Sequence, residues 1–203
     1  VTKALKEMDV ERLRLYPDPT VKPLVEELAK YYNVGSDQVF VGVGSDDVLA
    51  MSFLTFFNSE KPIFFPDITY SFYKVWAELY RIPYECQKLN DDFCIVKEDY
   101  YKENGGVIIA NPNAPTSLYA DLSDIEDIIV NNQDVIVIID EAYIDFAGDE
   151  EEYRRFFPKL ENLKENVISI VAYSLSKTYT LYGTRCGAMI CVAKTKEIAD
   201  ELH

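Results

Sequence analysis

Short, nearly continuous apolar runs alternate with amphipathic segments along most of this chain, and the alternation constrains the fold more than any other feature. Several runs are almost entirely Val, Ile and Phe, which is typical of strands covered on both faces. The segments between them have helical spacing and begin near Ser or Thr, which favour helix starts. The pattern predicts an α/β fold, a three-layer αβα sandwich with a mainly parallel central sheet. The predicted strands lie within 38–44, 61–66, 81–89, 105–112, 134–140, 166–174 and 187–193, and the predicted helices within 45–57, 69–80 and 123–132.

The chain is strongly acidic. Its 203 residues carry 20 basic and 35 acidic side chains, for a net charge of −15. This charge opposes sequence-independent binding to nucleic acid or to an anionic membrane. No run reaches the roughly 18 apolar residues of a membrane span, and the first residues lack the apolar core of a signal peptide. We therefore expect a cytoplasmic protein with no nucleic-acid and no membrane partner.

Cysteine and histidine usage narrows the chemistry. The four cysteines form no C-x-x-C pair, which favours reduced, buried thiols over a disulfide or metal framework. The only histidine is His203, the last residue, so histidine triads and H-E-x-x-H zinc sites are excluded within this chain. We predict no metal site.

Polar residues follow the carboxyl ends of several predicted strands, which is where ligands bind in open α/β sheets. After the first strand, "GVGSDD" combines glycines at 42 and 44 with a helix start. The turn is either a phosphate cradle or an ordinary glycine turn. It is not a dinucleotide fingerprint, because Asp47 stands where the third glycine is required.

Two further strand ends carry ionisable groups. Asp140 ends an aliphatic run, where an unpaired charge is costly, so it either caps the next helix or pairs with a cation such as the protonated ring nitrogen of pyridoxal 5′-phosphate (PLP). Lys177 is either an exposed strand end or a desolvated amine suited to Schiff-base chemistry. Donors for a phosphate dianion stand nearby in sequence, namely Ser174, Ser176 and Arg185.

Five motifs, in order and spacing, resemble a known family. They are "GVGSDD", "PDITYSFY", "NPNAPTS", "DEAYIDF" and "YSLSKTYTLYGTRCG". Together they are similar to the large domain of fold-type I PLP-dependent aminotransferases, most closely the histidinol-phosphate aminotransferases, from "RLYPDPT" to the end of the chain. The resemblance implies an N-terminal segment at 1–30 and a PLP-binding large domain at 31–203, with an N-terminal arm and a C-terminal small domain outside this chain.

The same resemblance implies an activity. PLP would be the cofactor, histidinol phosphate the amino donor and 2-oxoglutarate the 2-oxo acid acceptor, in histidine biosynthesis, and the protein would be a homodimer. The arginine that grips the substrate carboxylate in the family would lie in the small domain. This chain by itself is therefore expected to hold the cofactor but to transaminate poorly, because the substrate would be badly positioned.

Each matching residue acquires an implied role. Lys177 would bind PLP as a Schiff base and carry a proton, and Asp140 would keep the ring nitrogen protonated. Tyr70 would stack on the ring and Tyr143 would donate to its oxygen O3′. The backbone of Ser45 and Asp46, with Ser174, Ser176 and Arg185, would hold the phosphate.

Two further assignments concern a contact across subunits and a departure from the family's usual residue. Tyr16, in "RLYPDP", matches a tyrosine that reaches into the neighbouring subunit's site. Ala114 stands where the family usually has the asparagine that contacts O3′, and Asn113 would take over that contact by moving one position.

Other functions fit parts of the pattern. An aromatic amino-acid aminotransferase or a threonine-phosphate decarboxylase would share the fold. S-x-x-K at 174–177 also matches penicillin-binding acyltransferases, although "GSDD" and "AKTKE" replace the accompanying S-D-N and K-T-G elements. A non-enzymatic phosphoacceptor module would use Asp140 but would leave Tyr70 and Arg185 unexplained.

Overall fold

The computed structural model describes residues 2–146, 170–171, 173–174 and 187–190. This part of the chain forms helices α1 (Thr2–Glu7), α2 (Lys22–Tyr32), α3 (Ser45–Phe56), α4 (Phe72–Tyr80) and α5 (Leu122–Val130). Single 3-10 turns occur at Val10–Arg14, Ser36–Gln38, Lys97–Tyr100 and Ile144–Phe146. The strands are β1 (Val39–Gly42), β2 (Ile63–Pro66), β3 (Tyr84–Gln87), β4 (Val107–Ala110), β5 (Val137–Asp140), β6 (Ile170–Val171), β7 (Tyr173–Ser174) and β8 (Gly187–Ile190).

The strands form a parallel sheet in the order β3-β2-β4-β5-β6. A second group, in the order β1-β8-β7, is antiparallel. Between β4 and β5 the register pairs Ile109 with Ile139 and Ala110 with Asp140, so these two strands end level with each other. The prediction of a mainly parallel α/β sheet is therefore confirmed, with β8 running against its neighbours.

The central strands are buried on both faces, and the alternation of their side chains makes two core layers. Ile108 and Ile138 pack on one face with residues of α3 and α4. Ile109 and Ile139 pack on the other face against α5. Because alternate residues share a face, Asp140 follows Ile138 onto the side of the sheet that α3 and α4 cover.

Helix α4 begins later than the sequence pattern predicts. The expected helix covers 69–80, whereas α4 starts at Phe72. Thr69 and Tyr70 instead make side-chain hydrogen bonds to distant parts of the chain. Tertiary contacts at the strand end therefore override the local helical spacing.

The prediction of buried cysteines is wrong for the two that the structure describes. Cys86 and Cys94 are both exposed, unpaired thiols. Cys86 lies on β3, the edge strand of the parallel sheet, and Cys94 lies in the loop that follows it. An edge strand keeps part of its surface in water, which the apolar sequence context does not reveal.

The N-terminal segment stands apart from both core layers. No residue of α1 or of the 3-10 turn after it is buried. The first side chains that join a core are on α2, where Ala29 and Tyr32 pack on Val39 of β1. Among the described helices, none is long and apolar enough to cross a membrane.

Candidate active site

The turn between β1 and α3 presents the amino end of α3 at the carboxyl end of β1. We call the edge formed by the carboxyl ends of β1, β2 and β5 the rim. Gly44 has a φ of 99°, a left-handed conformation that glycine adopts without steric cost. Asp47 closes the turn, because its Oδ2 accepts a 2.9 Å hydrogen bond from the backbone N–H of Val43. The first-turn N–H groups of Ser45 and Asp46 have no acceptor within the helix and carry partial positive charge. Such a turn is suited to binding a phosphate.

Tyr70 connects the end of β2 with this turn. Its hydroxyl donates a 2.7 Å hydrogen bond to Oδ1 of Asp46. Its ring lies edge-on to that of Tyr73, with centroids 5.6 Å apart. The pKa of Tyr70 is raised, first by burial and then by the hydrogen bond to Asp46. The predicted ring-stacking residue and a predicted phosphate-binding residue therefore lie side by side.

Asp140 places a buried carboxylate beside these groups. Only 5% of the residue is exposed. Its Oδ2 accepts a 2.6 Å hydrogen bond from the hydroxyl of Tyr73, and its Oδ1 accepts a 3.1 Å hydrogen bond from the backbone N–H of Ala142. The carboxylate thus stabilises the turn after β5, as the capping interpretation expects. It also faces the same layer as Tyr70, as a cofactor partner would have to do.

Tyr143 lies on the same rim. The pKa of Tyr70 is raised chiefly by burial and by Asp46, and the phenol of Tyr143 adds the smallest of the contributions. The ring of Tyr143 is tilted against Phe146, with centroids 6.4 Å apart, and 36% of the residue is exposed. The side chain of Tyr143 is therefore accessible to solvent three residues after Asp140.

Asn113 holds the loop after β4 to the loop after β2. Its Nδ2 donates to the backbone oxygen of Ile68 at 2.9 Å and to Oγ1 of Thr116 at 3.1 Å. Its Oδ1 accepts a 2.8 Å hydrogen bond from Oγ1 of Thr69. The carboxamide hydrogens are therefore used within the chain, and donation to O3′ of a cofactor would require one of these bonds to break. The contact between Asn113 and the cofactor stays a prediction.

Of the other predicted site residues, the structure describes only Tyr16 and the backbone of Ser174. Tyr16 lies on the exposed N-terminal segment with its side chain in solvent. The backbone of Ser174 is in β7, where it pairs with Gly187. The remaining three residues fall outside the described part of the chain, namely Ser176, Lys177 and Arg185.

The whole chain, residues 1–203, matches the family model described as aminotransferase class I and II. The chain belongs to the class I and II aminotransferases. This family uses PLP as its cofactor. The family membership predicted from the five sequence motifs is confirmed.

The similar curated proteins of this aminotransferase chain carry the same name. Histidinol-phosphate aminotransferase of Lactococcus lactis subsp. cremoris (strain SK11) is 49% identical over 187 residues, which cover 92% of this chain and 50% of that protein. Histidinol-phosphate aminotransferase of Clostridium beijerinckii is 48% identical over 175 residues, which cover 86% of this chain and 47% of that protein. The chain thus spans about half the length of the curated relatives it matches.

A solved structure shares the fold. The crystal structure of histidinol-phosphate aminotransferase from Clostridium acetobutylicum superposes with a TM-score of 0.83. The match covers 99% of this chain and 58% of the other, at 23% sequence identity. At that identity the match establishes the three-dimensional arrangement of this aminotransferase chain and not its chemistry.

Sequence reasoning missed two polar residues of this candidate site. Tyr73 donates to Asp140, and Thr69 donates to Asn113. Tyr73 follows Tyr70 by three residues, which in the predicted helix over 69–80 would place both on one face. That spacing was the available signal, but an aromatic residue in an apolar helix is first interpreted as core.

Proposed function

We propose that this chain is the PLP-binding part of an aminotransferase that acts on histidinol phosphate and 2-oxoglutarate. The observation that carries the proposal is the buried Asp140 carboxylate, which shares one rim with Tyr70 and with the amino end of α3. A phosphorylated pyridine ring needs these partners, an anion for its ring nitrogen and N–H donors for its phosphate. The residues present therefore fit PLP.

Different residues of the chain would bind different parts of the cofactor. The carboxylate of Asp140 would attract a protonated ring nitrogen, since burial strengthens the interaction between opposite charges. The first-turn N–H groups at Ser45 and Asp46 would hold the phosphate, and the ring of Tyr70 would cover one face of the cofactor. PLP, when bound, supplies an electron sink for the amino acid Cα.

Residues outside this group complete the proposed site. The hydroxyl of Tyr143 would donate to the ring oxygen O3′. Lys177 would hold the cofactor through its amine and would move a proton at the amino acid Cα. Additional phosphate donors come from Ser174, Ser176 and Arg185.

Cofactor binding is tested by covalent trapping. PLP is added to the intact protein, the visible absorption band is recorded, and the complex is reduced with borohydride and digested for mass spectrometry. We expect the pyridoxyl label on Lys177 and its loss in Lys177→Ala. The control Lys97→Ala should keep the label, because the amine of Lys97 is paired with Asp124 and Asp127 of α5. A folded protein without label on Lys177 would overturn the PLP assignment.

The substrate assignment is supported by the relatives that are almost half identical to this chain, which are named histidinol-phosphate aminotransferases. It is tested by comparing kcat/KM for histidinol phosphate, phenylalanine and threonine phosphate with the intact protein. We expect histidinol phosphate to exceed the other two by at least about tenfold. Equal values for histidinol phosphate and phenylalanine would contradict the assignment.

We also propose a homodimer in the cytoplasm, in which a second copy covers the N-terminal segment. The support for the dimer is the exposure of Val10, Leu13, Leu15 and Tyr16, because apolar side chains in a row are costly to leave in water. Leu13→Asp should shift the intact protein from dimer to monomer in light scattering at micromolar concentration. Val130→Asp places the same charge at the end of α5 and should leave the dimer intact.

A further inference from the structure

Tyr73 is held in one orientation by the core of the protein. The residue is 0% exposed and lies on the face of α4 that packs on the sheet. Its ring contacts those of Phe53 and Phe65, with centroids 6.2 and 6.1 Å apart. Aromatic neighbours on two sides leave the phenol no alternative rotamer without opening the core.

The hydroxyl of this fixed ring ends at Asp140. Its oxygen is 2.6 Å from Oδ2, a short distance typical of an O–H donor to a charged oxygen. The backbone N–H of Ala142 donates to the other oxygen, Oδ1. The two donors together fix the plane of the carboxylate, whose rotation about its terminal torsion is otherwise broad.

A hydrogen-bond donor also influences whether a buried carboxylate is ionised. Burial favours the neutral acid, whereas a hydrogen bond to the ionised oxygen favours the anion. Without the phenol, the carboxylate of Asp140 would take up a proton more readily. A protonated Asp140 would attract a positively charged ring nitrogen far less.

We propose that Tyr73 is a positioning residue that acts through Asp140 to keep its carboxylate ionised and aimed at the ring nitrogen of the cofactor. Tyr73 need not touch the cofactor for this role. The inference rests on the proposed binding of PLP and extends it to a residue one layer behind the site.

The test compares PLP with 1-deazapyridoxal 5′-phosphate, in which a C–H group replaces the ring nitrogen. Dissociation constants for both are measured by equilibrium dialysis with the intact protein and with Tyr73→Phe, which removes one oxygen and keeps the ring. We expect Tyr73→Phe to raise the Kd of PLP about tenfold, the loss of one hydrogen bond to a charged group. The Kd of the deaza analogue should stay within about twofold, because that compound has no ring nitrogen for Asp140 to hold.

Two controls separate positioning from general destabilisation. Tyr100→Phe makes the same chemical change at a tyrosine that is 1% exposed and whose hydroxyl has no hydrogen-bond partner within the described residues. It should leave the affinity for both compounds unchanged. In the Asp140→Asn background, adding Tyr73→Phe should cause no further loss of PLP affinity.

The possible results differ clearly. If Tyr73→Phe weakens PLP and the deaza analogue equally, or weakens neither, this inference is overturned while PLP binding stands. A loss of PLP affinity that persists in the Asp140→Asn background would overturn the inference in the same way. If the wild-type protein binds neither compound, the proposed function itself is overturned, and the inference falls with it.

Discussion

Tyr70 and Asp46 are joined by a 2.7 Å hydrogen bond that spans the gap between the end of β2 and the first turn of α3. One of these residues comes from the motif "PDITYSFY" and the other from "GVGSDD", which are separated by about two dozen positions in the chain. The bond fixes the ring of Tyr70 next to the free N–H groups of the helix start. The bond therefore holds the segments that follow β1 and β2 against each other.

Removing this hydroxyl should loosen the rim without unfolding the domain. Tyr70→Phe is expected to lower the free energy of unfolding by about 1 kcal/mol, because one hydrogen bond to a carboxylate is lost at a half-buried position. Urea unfolding measures the change. The matched control is Tyr84→Phe, which removes a phenol bonded to Glu78 at 3.1 Å on the exposed surface and should cost less than about 0.5 kcal/mol. Equal losses in the two variants would contradict this view of the rim.

A buried pair of asparagines should matter more for stability. Nδ2 of Asn132 donates to the backbone oxygens of Tyr100 and Ile128, and its Oδ1 accepts from Asn104. Asn132→Ala would leave several buried backbone and side-chain groups unsatisfied and should cost about 2–4 kcal/mol. Thermal and urea unfolding test this value.

The neighbouring residue gives the control for that substitution. Asn131 is exposed, and its Nδ2 makes one 2.8 Å hydrogen bond to the backbone oxygen of Asp127. Asn131→Ala should change the free energy of unfolding by less than about 0.5 kcal/mol. If Asn132→Ala is as mild as Asn131→Ala, the buried network contributes far less than its hydrogen bonds indicate.

Gly106 should not tolerate a side chain. Its φ is 145°, and an added Cβ would overlap Cε1 and Cδ1 of the buried Phe57 ring. Gly106→Ala combines backbone strain with overpacking and should cost at least about 2 kcal/mol. At Gly35 an added Cβ meets only the ends of flexible side chains, that of Asp37 first, at an ordinary φ of −69°. Gly35→Ala should therefore be nearly neutral, and a reversed order in urea unfolding would refute this account.

Alkaline pH should destabilise the fold through its buried tyrosines. Burial is the main reason why the pKa values of Tyr73 and Tyr100 are raised above their ordinary value near 10. Above that value the unfolded chain loses phenol protons that the folded chain keeps, so the free energy of unfolding falls as pH rises. Each such tyrosine contributes a slope of up to about 1.4 kcal/mol per pH unit.

Unfolding in urea between pH 8 and pH 11 measures that slope. Tyr100→Phe removes one titrating group and should reduce the slope above pH 10, while the slope between pH 8 and pH 9 stays as in the wild type. A Tyr100→Phe protein with the unchanged alkaline slope would show that Tyr100 is not protected in the folded state.

The sequence by itself determined the class of fold and most elements of the described part of the chain. The apolar runs at 61–66, 105–112 and 134–140 became the buried strands β2, β4 and β5, because continuous Val, Ile and Phe suit only positions covered on both faces. The ordered motifs also identified the family. These features are local patterns, so they can be recognised from the order of the residues alone.

Tertiary structure alone decided which side chains meet. The hydrogen bonds from Tyr70 to Asp46, from Tyr73 to Asp140 and from Thr69 to Asn113 join segments between 24 and 67 residues apart. No local spacing predicts such contacts, since they depend on strand order and on which helix covers which face of the sheet. For the same reason an apparent core tyrosine, Tyr73, proved to be one of the hydrogen-bond donors to the Asp140 carboxylate.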